Sequence, residues 1–225
     1  MQYKIDLDKA HASYYLKDGS QAIGTTTLLQ KVHRYSYGLV IWGFNEGKAG
    51  NDINKKKEKA ADIGTITHAM IMCHFAGWDL DTSNLIPDNV GIAESAFLSF
   101  LEWLGSREIE PIEVEKELVS EVWGYGGTPD LIGVEDGELC LYDFKSGTGI
   151  YDDHYWQVCG AYVPLAIENG FAIKKAKLIH IPKDDNLDFG EKIVSDERKL
   201  KLYKRMFHAD LLWYRNERLL KGKKV

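Results

Sequence analysis

Asp136-Gly137 stands between two runs of alternating apolar residues, a leading signal for a two-residue hairpin. With that pair in the loop, Glu135 lies opposite Glu138, Val134 opposite Leu139 and Ile132 opposite Leu141. The same count brings Asp130 opposite Asp143, and Thr128 opposite Lys145 on the same face, because side chains repeat every second residue. Two ionised aspartates directly across a hairpin have Cβ atoms about 5 Å apart and repel each other. A cation must offset that repulsion: Lys145, or a divalent metal. Mg²⁺ favours carboxylate oxygens and completes its shell with water and phosphate. The arrangement resembles a site for phosphodiester chemistry. The alternative is an Asp–Lys–Asp cluster on a solvated sheet face, where such charges are common and inert.

The elements that must position these groups follow from periodicity. Residues 14–20 read as a strand and a turn. Thr27-Leu28-Leu29-Gln30 resembles a capping box, opening a helix that runs on through Leu39, Val40, Ile41 and Trp42. Helices are expected over 54–75, 88–104, 152–168 and 196–220. Strands are expected over 112–119, 125–134, 138–144 and 177–181. This order predicts an α/β (α+β) fold, a central mixed β-sheet flanked by helices. One domain is expected over 1–225. Its parts are a mainly helical 1–108, a catalytic sheet core over 109–182 and a C-terminal helix over 195–222.

Bulk properties narrow the class. The chain has 225 residues, 44% hydrophobic and 28% charged, as in an ordinary soluble globular protein. No apolar run reaches membrane-spanning length, and the first residues lack the apolar core of a signal peptide, so a cytoplasmic location is expected. A net charge of -6 argues against a general polyanion binder. It leaves room for an enzyme whose carboxylates gather around metal ions. Cys73, Cys140 and Cys159 show no metal-site spacing and read as small, buried, reduced thiols.

The motifs together resemble the RecB-like nucleases of the PD-(D/E)XK superfamily. Gly126-Gly127-Thr128-Pro129-Asp130 followed by Asp143-Phe144-Lys145-Ser146-Gly147 is similar to the family's GxxD…DxKTG pattern. Upstream, Gly64-Thr65-Ile66-Thr67-His68 resembles its G-T-x-x-H helix, and Val114-Glu115 its strand glutamate. Tyr155-Trp156-Gln157 with Tyr162 resembles its Q…Y helix. The segment around Gly24-Thr25-Thr26-Thr27 and Trp42 is similar to the N-terminal part of phage and mitochondrial exonucleases in the group. Two departures stand out: the third acid is Asp143 rather than glutamate, and Gln157 and Tyr162 are five residues apart where four is usual.

The resemblance implies a restriction-endonuclease-like core in which Asp130, Asp143, His68 and the backbone carbonyl of Phe144 bind Mg²⁺ or Mn²⁺. Lys145 would hold or help deprotonate the attacking water and stabilise charge on the phosphate. Glu115 would serve the metal shell, the water or Lys145. Alternation alone puts Glu113, Glu115 and Glu117 on one face and does not choose among them. Gln157 would contact the scissile phosphate or Lys145, and Gly64 would permit close approach of a helix or strand. Tyr162 would stack or hydrogen-bond, with core packing as the alternative. A lone histidine such as His68 is otherwise a packed, hydrogen-bonded one. Lys55, Lys56, Lys57 and Lys59 read as a solvated face or a phosphate track. Tyr37, Trp42 and Phe44 read as core or as stacking platforms.

The implied activity is metal-dependent DNA exonuclease hydrolysis of phosphodiester bonds, in phage or bacterial recombination and repair. Its substrate would be DNA that is single-stranded or has free ends. The resemblance extends to a recombination partner protein; no iron–sulfur cluster and no membrane association are expected. The rival readings are an endonuclease of the same superfamily and a catalytically silent nucleic-acid-binding module.

Overall fold

The computed structural model describes residues 1–5, 7, 12–33, 37–105, 107–183 and 189–223, with Tyr37 described in its backbone alone. Strands β1 (Gln2–Lys4), β2 (Tyr14–Tyr15) and β3 (Gln21–Gly24) precede helices α1 (Thr25–Val32), α2 (Tyr37–Lys48) and α3 (Ile53–Ala76). Next come β4 (Asp79–Asp81), α4 (Pro87–Leu104), β5 (Glu110–Val114), β6 (Leu118–Ser120), β7 (Tyr125–Gly127), β8 (Leu131–Glu135) and β9 (Glu138–Lys145). A helical stretch follows: α5 (Asp152–Tyr155), a π-helix (Trp156–Tyr162) and α6 (Val163–Glu168). Strands β10 (Lys175–His180) and β11 (Gly190–Val194) lead to α7 (Glu197–Leu220).

The central sheet has five strands in the order β11-β10-β9-β8-β5. Only β9 and β10 run parallel in it, joined by the helical stretch that a parallel crossover needs. Alternation along β9 supplies two cores. Leu141, with Ile132 and Leu178, packs against Val158, Leu165, Phe207 and Leu211 of the crossover and α7. On the other face Tyr142 and Phe144, with Leu131 and Ile179, pack against Ile71 and Phe100 of α3 and α4. Each such side chain contributes about 1.5–3 kcal/mol on full burial. The result is the expected mixed sheet with helices on both sides. A second sheet, β2-β3-β7-β6, and a small parallel pair, β1-β4, complete it.

An ion cluster ties the sheet together at the hairpin end. The Tyr142 hydroxyl donates to Glu135 Oε2 at 2.7 Å, and Lys177 donates to the same oxygen. Arg107 reaches Glu135 at 3.2 Å and Glu191 at 3.0 Å. Four strands and the end of α4 are thereby joined.

Several expectations need correction. The hairpin register is as predicted from Glu135–Glu138 to Leu131–Tyr142, turning through Asp136 at φ 53 and Gly137 at φ 76, as a type I′ turn requires. Asp130, however, precedes β8 and is no ladder partner of Asp143. Lys145 pairs with His180 of β10 rather than Thr128. The expected 125–134 strand breaks because Pro129 cannot donate to a ladder; β7 joins the second sheet. The expected 112–119 strand also divides, at Glu115, whose φ of 46 ends the extended run. No capping box opens α1: Gly24 is its N-cap, and Thr25 Oγ1 instead donates to Gly126 O at 2.8 Å, anchoring the helix to β7. That helix stops at Val32, and α2 is separate.

Candidate active site

Strand β9 turns Asp143 and Lys145 to one face and sends Phe144 into the aromatic layer opposite. Asp143 is 1% exposed. Lys145 Nζ lies 2.7 Å from Asp143 Oδ2, so this buried oxygen is held by an ion pair. Asp130 sits just before β8 and accepts the Phe144 N–H on Oδ2 at 2.7 Å. Its Oδ1 lies 3.5 Å from Nδ1 of His68 on α3. Asp130, Asp143, Lys145 and His68 are therefore gathered from one helix and both arms of the hairpin.

Glu115 joins them through its backbone. Its left-handed φ is uncommon for a residue with a side chain. Its N–H donates to Asp130 O at 2.9 Å. His68, Glu115, Asp130 and Phe144 line one cavity of about 10 Å³, the scale of a single water or ion. Glu113, by contrast, pairs with Lys116 at 3.3 Å. The strand end thus distinguishes glutamates that alternation could not.

The charges are strongly coupled. Burial pushes the Asp143 carboxyl up to about 6; Lys145 opposes that rise and Asp130 adds to it. Burial acts on Asp130 too, but the His68 charge and hydrogen bond, Lys145 and the Phe144 N–H outweigh it and hold this carboxyl low. Burial would lower Lys145, yet Asp143 and Asp130 raise it. For His68, burial is likewise overcome by Asp130. Burial and then Asp130 raise the Glu115 carboxyl.

Gln157 is a hinge between charge and core. Its Oε1 accepts from Lys145 Nζ at 3.1 Å, and its Nε2 donates to the Tyr162 hydroxyl at 2.7 Å and to Thr26 Oγ1 at 3.4 Å. Tyr162 is both buried and hydrogen-bonded. Beside it opens a cleft of about 660 Å³ lined by, among others, Tyr14, Thr26, Tyr162, Tyr214 and Arg215. Sequence reasoning did not find Tyr14. Its hydroxyl bonds Thr128 Oγ1 at 2.9 Å, and its ring lies where a Gly126 side chain would be, 2.1 Å from that ideal Cβ. The glycine pair was the available signal: Gly127 makes the same room for Tyr162, at 2.5 Å.

Other singled-out residues lie elsewhere. Lys55, Lys56, Lys57 and Lys59 form an exposed face of α3, with Lys56 paired to Glu46 at 2.6 Å. Phe44 is 67% exposed on α2, so it is not core; the Tyr37 side chain lies outside the described residues. Cys73, Cys140 and Cys159 are free and buried. Among the described residues no helix is long and apolar enough to cross a membrane.

The donor set suits a hard divalent ion: two carboxylates, an imidazole and an acid at the cavity wall. Among the described residues no three His, Cys, Asp or Glu side chains form a ready-made ion cage. Asp143 is turned toward Lys145, and Asp130 is held by a backbone N–H.

No family model and no curated protein matches the chain. It is similar to solved structures. One is a protein of Eubacterium rectale provisionally described as an exonuclease, at 12% identity and TM-score 0.48, over 72% of this chain and 69% of that one. Another is the protein SSO0001, at 15% and 0.39, over 85% and 75%. A third is the alkaline exonuclease of Laribacter hongkongensis, at 12% and 0.32, over 71% and 90%. At these identities and scores the likeness carries no argument about chemistry, which rests on the side chains above.

Proposed function

We propose that this chain is a Mg²⁺- or Mn²⁺-dependent deoxyribonuclease that hydrolyses phosphodiester bonds, acting as an exonuclease on single-stranded or free-ended DNA. The observation that carries the reading is the meeting of Asp130, Asp143 and Lys145 with His68 and Glu115. The exonuclease mode and the setting in phage or bacterial recombination and repair, with a partner protein, rest on the family resemblance.

Asp130, Asp143, His68 and the Phe144 carbonyl would hold the metal. When bound, such an ion acidifies a water and offsets phosphate charge. Asp130 is kept ionised by His68 and by the Phe144 N–H, so it is ready to take a cation. Lys145 keeps its proton beside two aspartates and presents positive charge where the phosphate gains negative charge. Gln157 accepts from the Lys145 ammonium at 3.1 Å and, with Asp143, limits where it can point. Glu115, whose proton affinity is raised, is suited to accept a proton from a nearby water.

The test uses a DNA strand labelled at one end, with and without Mg²⁺ or Mn²⁺, beside Lys145→Ala and a closed circular strand. The expected result is metal-dependent loss of the linear strand, absent in the variant, with circles spared. Cut circles would make the chain an endonuclease. A folded protein that cleaves nothing under either metal would sink the catalytic reading.

A further inference from the structure

Gly64 lies one helical turn before His68 on α3, and Ser146 directly follows Lys145. They meet. A side chain at position 64 would come within 3.3 Å of Ser146 Oγ and 3.6 Å of Lys183 Nζ. Glycine at this position therefore leaves a notch between a hydroxyl and an ammonium. A glycine inside a helix costs about 1 kcal/mol relative to alanine, so its presence in α3 asks for a reason in space.

Lys183 is an unusual cation. It is partly buried, and its ammonium donates to Ala60 O at 2.9 Å. An ammonium has three donors. Among the described residues no carboxylate pairs with it; Asp184 and Asp185 lie outside them. Burial lowers its proton affinity. Ser146 is 8% exposed, and its hydroxyl can donate as well as accept.

We propose that Lys183, Ser146 and the notch at Gly64 form a phosphate subsite that holds the nucleic-acid backbone next to the reacting phosphodiester. The inference rests on the nuclease reading and adds a contact that the carboxylate site does not include. One helical turn is about 5.4 Å along α3, so a strand over His68 passes the notch within a nucleotide or so. The chemistry recognised is a phosphodiester, by point charge and hydroxyl, with no reading of base sequence.

The experiment measures binding apart from cleavage. A fluorescent single-stranded oligonucleotide is titrated with the full chain in Ca²⁺, at several salt concentrations. Lys183→Gln should weaken binding about 3- to 10-fold and lower the salt slope by about 0.7, the share of one phosphate contact on a single strand. Lys183→Arg should retain the slope. Gly64→Ala, assayed well below its melting temperature and with its fold checked by circular dichroism, should weaken binding, because the added methyl fills the notch. An unchanged slope in Lys183→Gln, or full affinity in Gly64→Ala, would overturn the subsite and leave the nuclease reading intact. If the wild type binds no strand at all, both fall together.

Discussion

Gln157 donates to the Tyr162 hydroxyl at 2.7 Å across one turn of π-helix. An α-helix would put residues five apart on faces about 140° apart. The wider turn, with its i→i+5 bonds, brings them together and leaves the other end of Gln157 for Lys145. Gln157→Leu should therefore lower kcat about 10- to 100-fold, the usual cost of removing a group that orients a site, with a smaller change in KM. Tyr162→Phe should show a weaker loss of the same kind. Steady-state kinetics on a labelled strand would decide; equal loss in KM alone would mean that Gln157 only binds substrate.

The five-residue spacing looked like a departure from the family pattern, and it is the case where periodicity misled. A π-turn has no strong local signal, whereas the Asp136-Gly137 turn does, and the hairpin register follows it through Leu131–Tyr142. Helices α3, α4 and α7 were legible from their apolar stripes. Glu115 was not legible from periodicity: alternation treats it like Glu113 and Glu117, and only the Val114-Glu115 resemblance chose it, where the structure adds a left-handed backbone bonded to Asp130. Tyr14 was hidden for a similar reason, since what it fills is the absence of a side chain more than a hundred residues away.

Asp143 bears a cost that a metal should relieve. Its carboxyl is buried and pushed up to about 6, so the ionised group weakens the metal-free fold at neutral pH. Mn²⁺ at 100 times its Kd should stabilise the wild type by about 2.7 kcal/mol, read as a rise in Tm. Asp143→Asn should lose both cleavage and this rise. An equal metal shift in the variant would remove Asp143 from the ion site.

Glu115 is held at φ 46, a conformation that costs about 1–2 kcal/mol for an L residue. Glu115→Gly should raise stability by about 0.5–1 kcal/mol while activity drops, because the backbone strain is relieved and the acid is lost. Glu115→Ala keeps the strain and should not share the backbone gain. Paired urea denaturation curves would check this; a destabilised glycine variant would deny that the backbone is strained.

Gly126 and Tyr14 occupy one space. Gly126→Ala should cost about 2–3 kcal/mol through overpacking. In the background of Tyr14→Ala the same change should cost far less, a coupling measurable by a double-mutant cycle. Additive losses would show that the ring simply swings aside.

Burial raises the Glu135 carboxyl, but hydrogen bonds from Lys177 and Tyr142, the Lys177 charge and Arg107 together hold it below the ordinary range. A depressed carboxyl contributes stability that is present above its unfolded pKa, about 4.3, and is lost as pH falls through the lower folded value. Denaturation midpoints of the wild type should thus decline below about pH 4. Glu135→Gln should be less stable by about 3 kcal/mol at pH 7, since it strands a buried Lys177, and its acid decline should be shallower. Parallel acid profiles of the two proteins would contradict the assignment.

Strand β9 alternates two incompatible environments, charge for the site and rings for the packed layer beneath α3 and α4. Deleting or inserting one residue between Glu138 and Asp143 would exchange them, forcing Asp143 and Lys145 among the aromatics and Phe144 toward water. Between Glu138 and Lys145 the strand can change length only in steps of two. Among relatives of this chain, then, gaps within that strand should fall in even numbers, while the 136–137 loop is free of the constraint: a parity rule written into the chain by the pleat of one strand.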